Sequence, residues 1–238
     1  KEERQMEKVK ILGVCSSHRA GGATEYCVQE ALKEAAKIPG VTTEYMTLRG
    51  KKIQHCIHCN ACVKNKCKCV LKDDFNELFD QFLEADGYII GTPVYSCSAS
   101  SNLQAFLSRM RPSGVVAPGV FINKVGGALS TGGTRNGGQE MANMVIHNFY
   151  TCYEILVTGG PSGNYTGACV WSQDRRAEGA AEDEVGMKCV RGLGQRVAEA
   201  ALILKNGKAL LSSEGIQFSD KNVLWTAKSE KYATGQIT

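Results

Sequence analysis

Three times between residues 9 and 110 the sequence runs through one cycle: a short apolar stretch, a polar loop, then apolar residues at helical spacing. This alternation restricts the fold more than any single residue does, because parallel strands need a crossover between them and a helix is the usual one. The run "VKILGV" (9–14) gives way to "CSSHRAGGAT". Val28, Ala31, Leu32 and Ala35 then mark a helix face that closes at Ile38-Pro39-Gly40. Residues 41–48 alternate as a second strand. Asp74-Phe75-Asn76-Glu77 has the form of a capping box ahead of Phe75, Leu78, Phe79, Phe82 and Leu83. "GYIIG" (87–91) is a third strand and "TPVYSCSAS" its loop, and Ser101 opens a helix carrying Leu103, Phe106, Leu107 and Met110.

The cycle continues with a strand at 124–130, the loop "TGGTRNGG", a helix at 139–150, a fifth strand at 152–157 and a closing helix at 185–204. In that last helix Val190, Leu193, Val197, Ala201 and Leu204 face inward, and the glycines at 192 and 194 fall inside the helical pattern. The expectation is an α/β fold: a doubly wound, five-stranded parallel sheet with helices on both faces, over residues 1–205. Residues 206–238, with mixed polarity and weak periodicity, read as a C-terminal extension.

In such a sheet every loop leaving a strand's carboxyl end lies on one edge, where ligands bind at the topological switch. The first loop has Ser16, Ser17 and Thr24 hydroxyls, the Arg19 cation and Gly21-Gly22 ahead of a helix N-terminus. These are the parts of a phosphate cradle, although neither a Walker motif nor G-x-G-x-x-G is present. The third and fourth loops, with Tyr95 and with Gly132-Gly133, suit a flat ligand. A monophosphate cradle at strand one with planar-ligand loops at strands three and four describes the flavodoxin arrangement, strand order 2-1-3-4-5.

The blocks "ILGVCSSHRAGGATEY", "CIHCNACVKNKCKCVLKDDF", "ADGYIIGTPVYSCSASSNLQAFLSR" and "STGGTRNGGQE" resemble those of the iron-sulfur flavoproteins, a branch of the NADPH-dependent FMN reductase and multimeric flavodoxin superfamily. The resemblance covers residues 9 to about 205. It implies FMN, with phosphate contacts at Ser17, Arg19, Ala23 and Thr24 and isoalloxazine contacts at Pro93, Val94, Tyr95, Ser96, Ser130, Thr131, Gly132 and Gly133. The family's usual glycine, proline and asparagine in the first loop stand here as Ser16, His18 and Ala23.

Eleven cysteines are many for a chain of 238 residues, and five of them crowd into residues 56–69. A chain this long needs no disulfide staples, so clustered thiols point to metal or redox chemistry in a reducing compartment. Cys56, Cys59 and Cys62 follow C-x2-C-x2-C, which turns successive thiolates toward a common centre for a [4Fe-4S] cluster. Spacing alone admits Cys67 or Cys69 as the fourth ligand. The family's Cys-Val-x-Lys-Asp-Asp stretch matches residues 69–74 and implies Cys69. A closed zinc site is the competing metal reading, and a loop without metal a third.

A hydrophobic fraction of 43% and a net charge of +4 suit an ordinary globular domain, and no basic stripe with interleaved aromatics suggests nucleic acid. The first ten residues carry seven charges and no signal-like apolar run, and no segment approaches a membrane span, so the expected location is the cytoplasm. His147 reads as a packing or interface residue, and Trp171 and Tyr165 as residues that border the flavin or anchor a surface loop. The expected activity is flavin-dependent oxidoreduction, passing electrons from ferredoxin or NAD(P)H to a small-molecule or protein acceptor. The alternatives are an NAD(P)H-dependent flavin or quinone reductase with a structural thiol loop, and a non-catalytic redox sensor or carrier. The resemblance also implies a homodimer or homotetramer.

Overall fold

A computed structural model of the chain describes residues 6–160 and 165–218. The elements run β1 (Val9–Cys15), α1 (Ala23–Ala35), β2 (Val41–Thr47), α2 (Ala61–Lys64), α3 (Phe75–Leu83), β3 (Gly87–Tyr95), β4 (Ser98–Ala99), α4 (Ser101–Ser108) and α5 (Ser113–Val116). They continue with β5 (Val125–Gly132), α6 (Gln139–Cys152), β6 (Leu156–Val157), β7 (Ala168–Trp171), α7 (Arg176–Glu182) and α8 (Glu184–Ser213).

The sheet order is β2-β1-β3-β5-β6, with these strands parallel, which is the expected doubly wound order once the two-residue β4 is set aside as a hairpin partner of β3. Strand periodicity sends alternate side chains into two separate cores. From β1, Ile11 and Cys15 join α1 and α8 on one face, while Leu12 and Val14 join α3, α4 and α6 on the other. Ile89 divides from Tyr88 and Ile90 in the same way on β3. The second core is aromatic: Phe82 stacks on Tyr88 with centroids 4.3 Å apart, and Phe75, Phe79 and Phe106 continue the cluster. Such rings stabilise by area and by quadrupole geometry together.

The structure corrects four local expectations. The fifth strand at 152–157 is mostly something else, since α6 runs through Cys152 and only Leu156–Val157 pairs with β5. The upper half of β5 is covered instead by β7, in the register Leu129↔Ala168 to Gly132↔Trp171. The fifth position in the sheet is therefore shared by two short strands. The capping box does not form: Asp73 Oδ1 accepts the Phe75 amide, and the Asp74 carboxylate is taken by the Lys52 amide. The N-cap position of α4 falls to Ser100, which makes no side-chain cap hydrogen bond, and Ser101 is the first helical residue. Helix α8 continues to Ser213, past the expected boundary at residue 205, and residues 219–238 of the expected extension lie outside the described residues.

Candidate functional site

The loops after β1, β3 and β5 leave the carboxyl ends of three neighbouring parallel strands, and buried hydroxyls tie them together. Ser16 donates its amide to the Gly91 carbonyl at 3.0 Å, and its hydroxyl meets that of Ser100 at 2.8 Å. Thr92 Oγ1 accepts the Ser100 amide at 3.0 Å. Thr24, in the first turn of α1, shares a 2.7 Å hydroxyl contact with Thr131 at the end of β5. All five hydroxyl-bearing residues are buried, so this network holds the rim in one shape.

Within the first loop, Ser17 Oγ accepts the Arg19 amide at 3.2 Å, and Ser17 and Thr24 are buried while Arg19 is exposed. Gly22 stands at the N-cap of α1 and supplies no side-chain cap, so that helix end can receive an anion. Glu25 accepts the Gly21 amide at 2.8 Å and the Arg49 guanidinium at 2.7 Å, which fixes the outer half of the loop. Burial works to raise the Glu25 carboxyl, but the Arg49 and Gly21 hydrogen bonds and the Arg49 charge hold it below its usual range.

Pro93 and Val94 extend β3 into a two-residue hairpin whose central residues, Ser96 and Cys97, have φ of 48° and 58°. Positive φ at both places is the geometry that suits the twist of paired strands. Tyr95 is 42% exposed beside the turn. After β5, Ser130 Oγ donates to the Gln139 carbonyl at 2.8 Å, and Gln139 Oε1 accepts the Gly137 amide at 2.8 Å. Gly138, at φ 101°, passes so near the hairpin that a β-carbon there would come within 2.6 Å of Cys97 Cα. Gly132 and Gly133 are held from behind by the Ser172 amide and the Trp171 indole, each donating at 2.8 Å. Trp171 thus anchors this loop, with Arg135 over its ring at 4.6 Å, while Tyr165 is 88% exposed. His147 is buried and bonded to the Thr166 carbonyl at 2.8 Å, a packing role.

The cysteine segment leaves β2, the strand beside β1, and is pinned at both ends. The Lys52 and Gln54 amides donate to Asp74 and Asp73 at 2.7 and 2.8 Å, and the Asp74 amide returns to the Lys52 carbonyl at 3.0 Å. The Cys56 amide donates to Ser108 Oγ at 3.3 Å, and Asn76 holds the Cys69 carbonyl at 2.8 Å. Left-handed backbone at His58 and Asn60 turns the segment into α2.

Cys56, Cys59, Cys62 and Cys69 line one pocket, together with Arg109, Arg111 and Pro112. Cys67 does not line it, and its thiol faces the Ala61 carbonyl at 3.9 Å. Burial pushes the Cys62 thiol up, opposed by the Arg111 charge. Among the described residues no three His, Cys, Asp or Glu side chains stand arranged to hold a metal ion, so the four thiols share a pocket without converging on a point.

Arg109 went unnoticed in the sequence. Its side chain is fully buried and paired with Asp73, its Nη1 also donates to the Gln54 carbonyl at 3.2 Å, and its guanidinium lies 4.3 Å from the Phe75 ring centroid. Its Nε and Nη2 are buried without a hydrogen-bond partner among the described residues. Four thiols beside a cation with unmatched donors suit an anionic, sulfur-rich group.

Comparison with known proteins agrees with the geometry. The NADPH-dependent FMN reductase family matches residues 9–164. An iron-sulfur flavoprotein of Methanocaldococcus jannaschii is 38% identical over 203 residues, covering 85% of this chain and all of its own. One from Archaeoglobus fulgidus is 40% identical over 190 residues, covering 79% of this chain and 95% of its own. Among solved structures, RosB with bound 8-demethyl-8-formylriboflavin 5′-phosphate superposes with a TM-score of 0.64 at 18% identity, covering 88% of each chain. At that identity the superposition speaks for the fold. Sequence kinship carries the rest: this chain belongs to the NADPH-dependent FMN reductase family, in the company of its iron-sulfur flavoproteins, and is a flavin-dependent oxidoreductase.

Proposed function

We propose that the protein carries FMN and a [4Fe-4S] cluster and moves electrons from ferredoxin or NAD(P)H to a small-molecule or protein acceptor. Ser17, Arg19, Ala23 and Thr24 hold the FMN phosphate at the open end of α1, while Pro93 to Ser96 and Ser130 to Gly133 hold the ring. Cys56, Cys59, Cys62 and Cys69 ligate the cluster. When bound, the flavin handles one or two electrons and the cluster one, which couples one-electron carriers to two-electron substrates.

The observation that carries this reading is the selection made by the cysteine pocket: four thiols line it with a buried arginine, and the fifth, Cys67, is left out. The chain's own groups supply the remaining chemistry. First-turn amides and Arg19 neutralise an anion, the Thr24–Thr131 bridge fixes the separation of two loops, and the small residues after β5 admit a planar ring edge. Among the described residues no helix is long and apolar enough to cross a membrane. All eleven cysteines are free, which fits work in the reducing cytoplasm, and family kinship favours a homodimer or homotetramer.

Oxygen-free purification followed by FMN, iron and sulfide assays tests the reading. The expected result is iron and sulfide in the ratio of one [4Fe-4S] cluster to each FMN. Flavin with stoichiometric zinc and no labile sulfide would instead mark an NAD(P)H-dependent flavin or quinone reductase with a structural thiol loop. Full cofactor content without turnover of any added acceptor would mark a sensor or carrier.

A further inference from the structure

We propose that Arg109 raises the reduction potential of the cluster held in the cysteine pocket, by donating its Nε–H and Nη2–H groups to cluster sulfur. The assignment rests on the cluster reading above. Arginine presents five donors in one rigid plane and stays protonated. Here that plane has little freedom: Nη1 is held by Asp73 and the Gln54 carbonyl, and one face lies over Phe75. The edge bearing Nε and Nη2 is buried and meets no acceptor among the described residues, yet the residue lines the pocket of Cys56, Cys59, Cys62 and Cys69.

A buried charged donor left unpaired is costly, so the matching acceptor is to be sought in the pocket. Thiolate and sulfide sulfurs accept hydrogen bonds and bear negative charge, and both effects set cluster potentials. Reduction of a bound cluster would add one electron, from reduced ferredoxin or from the flavin after NAD(P)H has reduced it, and would make the acceptor sulfurs more negative. Arg109 loses no proton in that step and favours the reduced state. Asp73 and the Gln54 carbonyl both engage Nη1, so Nε and Nη2 are the donors left over for a bound group.

The test is an EPR-monitored redox titration of protein isolated without oxygen. In Arg109→Gln, with iron and sulfide content unchanged, the one-electron reduction constant should fall about tenfold, a shift of ~59 mV to lower potential. Arg109→Lys, which keeps the charge and loses the planar donors, should fall between. An unaltered potential in fully loaded Arg109→Gln overturns the assignment. Should that variant fail to fold or load, the unmutated protein answers. With nitrogen-15 in its arginine guanidinium groups, pulsed EPR of the reduced cluster should show a nitrogen coupling that survives Arg111→Lys, and its loss there overturns the assignment. A protein that carries FMN and never iron defeats the cluster reading itself, an outcome distinct from a loaded cluster indifferent to Arg109.

Discussion

The hydroxyls of Thr24 and Thr131 stand 2.7 Å apart and join the first turn of α1 to the end of β5, both side chains out of reach of water. They hold two of the three proposed flavin loops at a fixed separation. Thr24→Val should weaken FMN binding by about 1 kcal/mol, roughly fivefold in affinity, by removing the proposed phosphate contact and the tie that holds the two loops in place. Thr131→Val should do the same, and the double variant should lose less than the sum, because the two changes remove one shared interaction. Fluorescence titration of the apoprotein with FMN reads all three.

Cys67 and Cys69 are two residues apart and differ in what they face. Cys69 lines the pocket and Cys67 turns to the Ala61 carbonyl. Cys69→Ser should abolish or sharply reduce iron and labile sulfide while FMN stays bound. Cys67→Ser should leave both at wild-type levels. The opposite pattern would reassign the fourth ligand.

Gly194 of α8 lies directly on α1, where an added β-carbon would come within 2.1 Å of the Ala31 carbonyl oxygen. Backbone cannot step aside as a flexible side chain can. Gly194→Ala should therefore destabilise by roughly 1–3 kcal/mol. That lowers the melting temperature by several degrees in a chain this size, at about 2–4 °C per kcal/mol, and calorimetry reads it directly.

Burial works to raise the Asp73 carboxyl, but hydrogen bonds from Arg109 and from the Gln54 and Phe75 amides, with the Arg109 charge, hold it below its usual 3.8. A depressed folded value stabilises the protein above the unfolded value, and this contribution fades as pH falls through that value toward the folded one. Stability measured by urea unfolding should therefore fall as pH drops below about 4. Asp73→Asn should flatten that segment of the profile. It should also cost about 3–5 kcal/mol at neutral pH, since it strands a buried guanidinium.

The parallel sheet and its order were legible because apolar strands and helical spacing follow periods that burial enforces on both faces. All of "GYIIG" is buried and all of "VKILGV" except Lys10, and Phe75, Leu78, Phe79 and Phe82 point into one core, as their spacing required. The divided fifth strand was not legible: "ACVW" is too short to show a period, and residues 152–157 alternate like a strand although α6 claims the first of them. Tertiary pairing along β5 decided the matter. The hairpin at Ser96-Cys97 carries none of the Asn-Gly or Gly-Gly signals of its turn type. Asp73 displaced Asp74 as a cap because the neighbouring amide of Lys52 competes for the second carboxylate. Arg109 was hidden for a different reason. An arginine at a helix end reads as a solvated charge, and only the crossing of α4 with the cysteine segment buries it.

The ties from Lys52 and Gln54 to Asp74 and Asp73 fasten the thiol-bearing stretch at its base, on the same side of the molecule as the second core. The proposed cluster would thus rest on a base fixed by the chain's own hydrogen bonds, so its oxidative loss should leave that base and the sheet in shape. Iron and sulfide should then reload the folded apoprotein without passage through an unfolded chain.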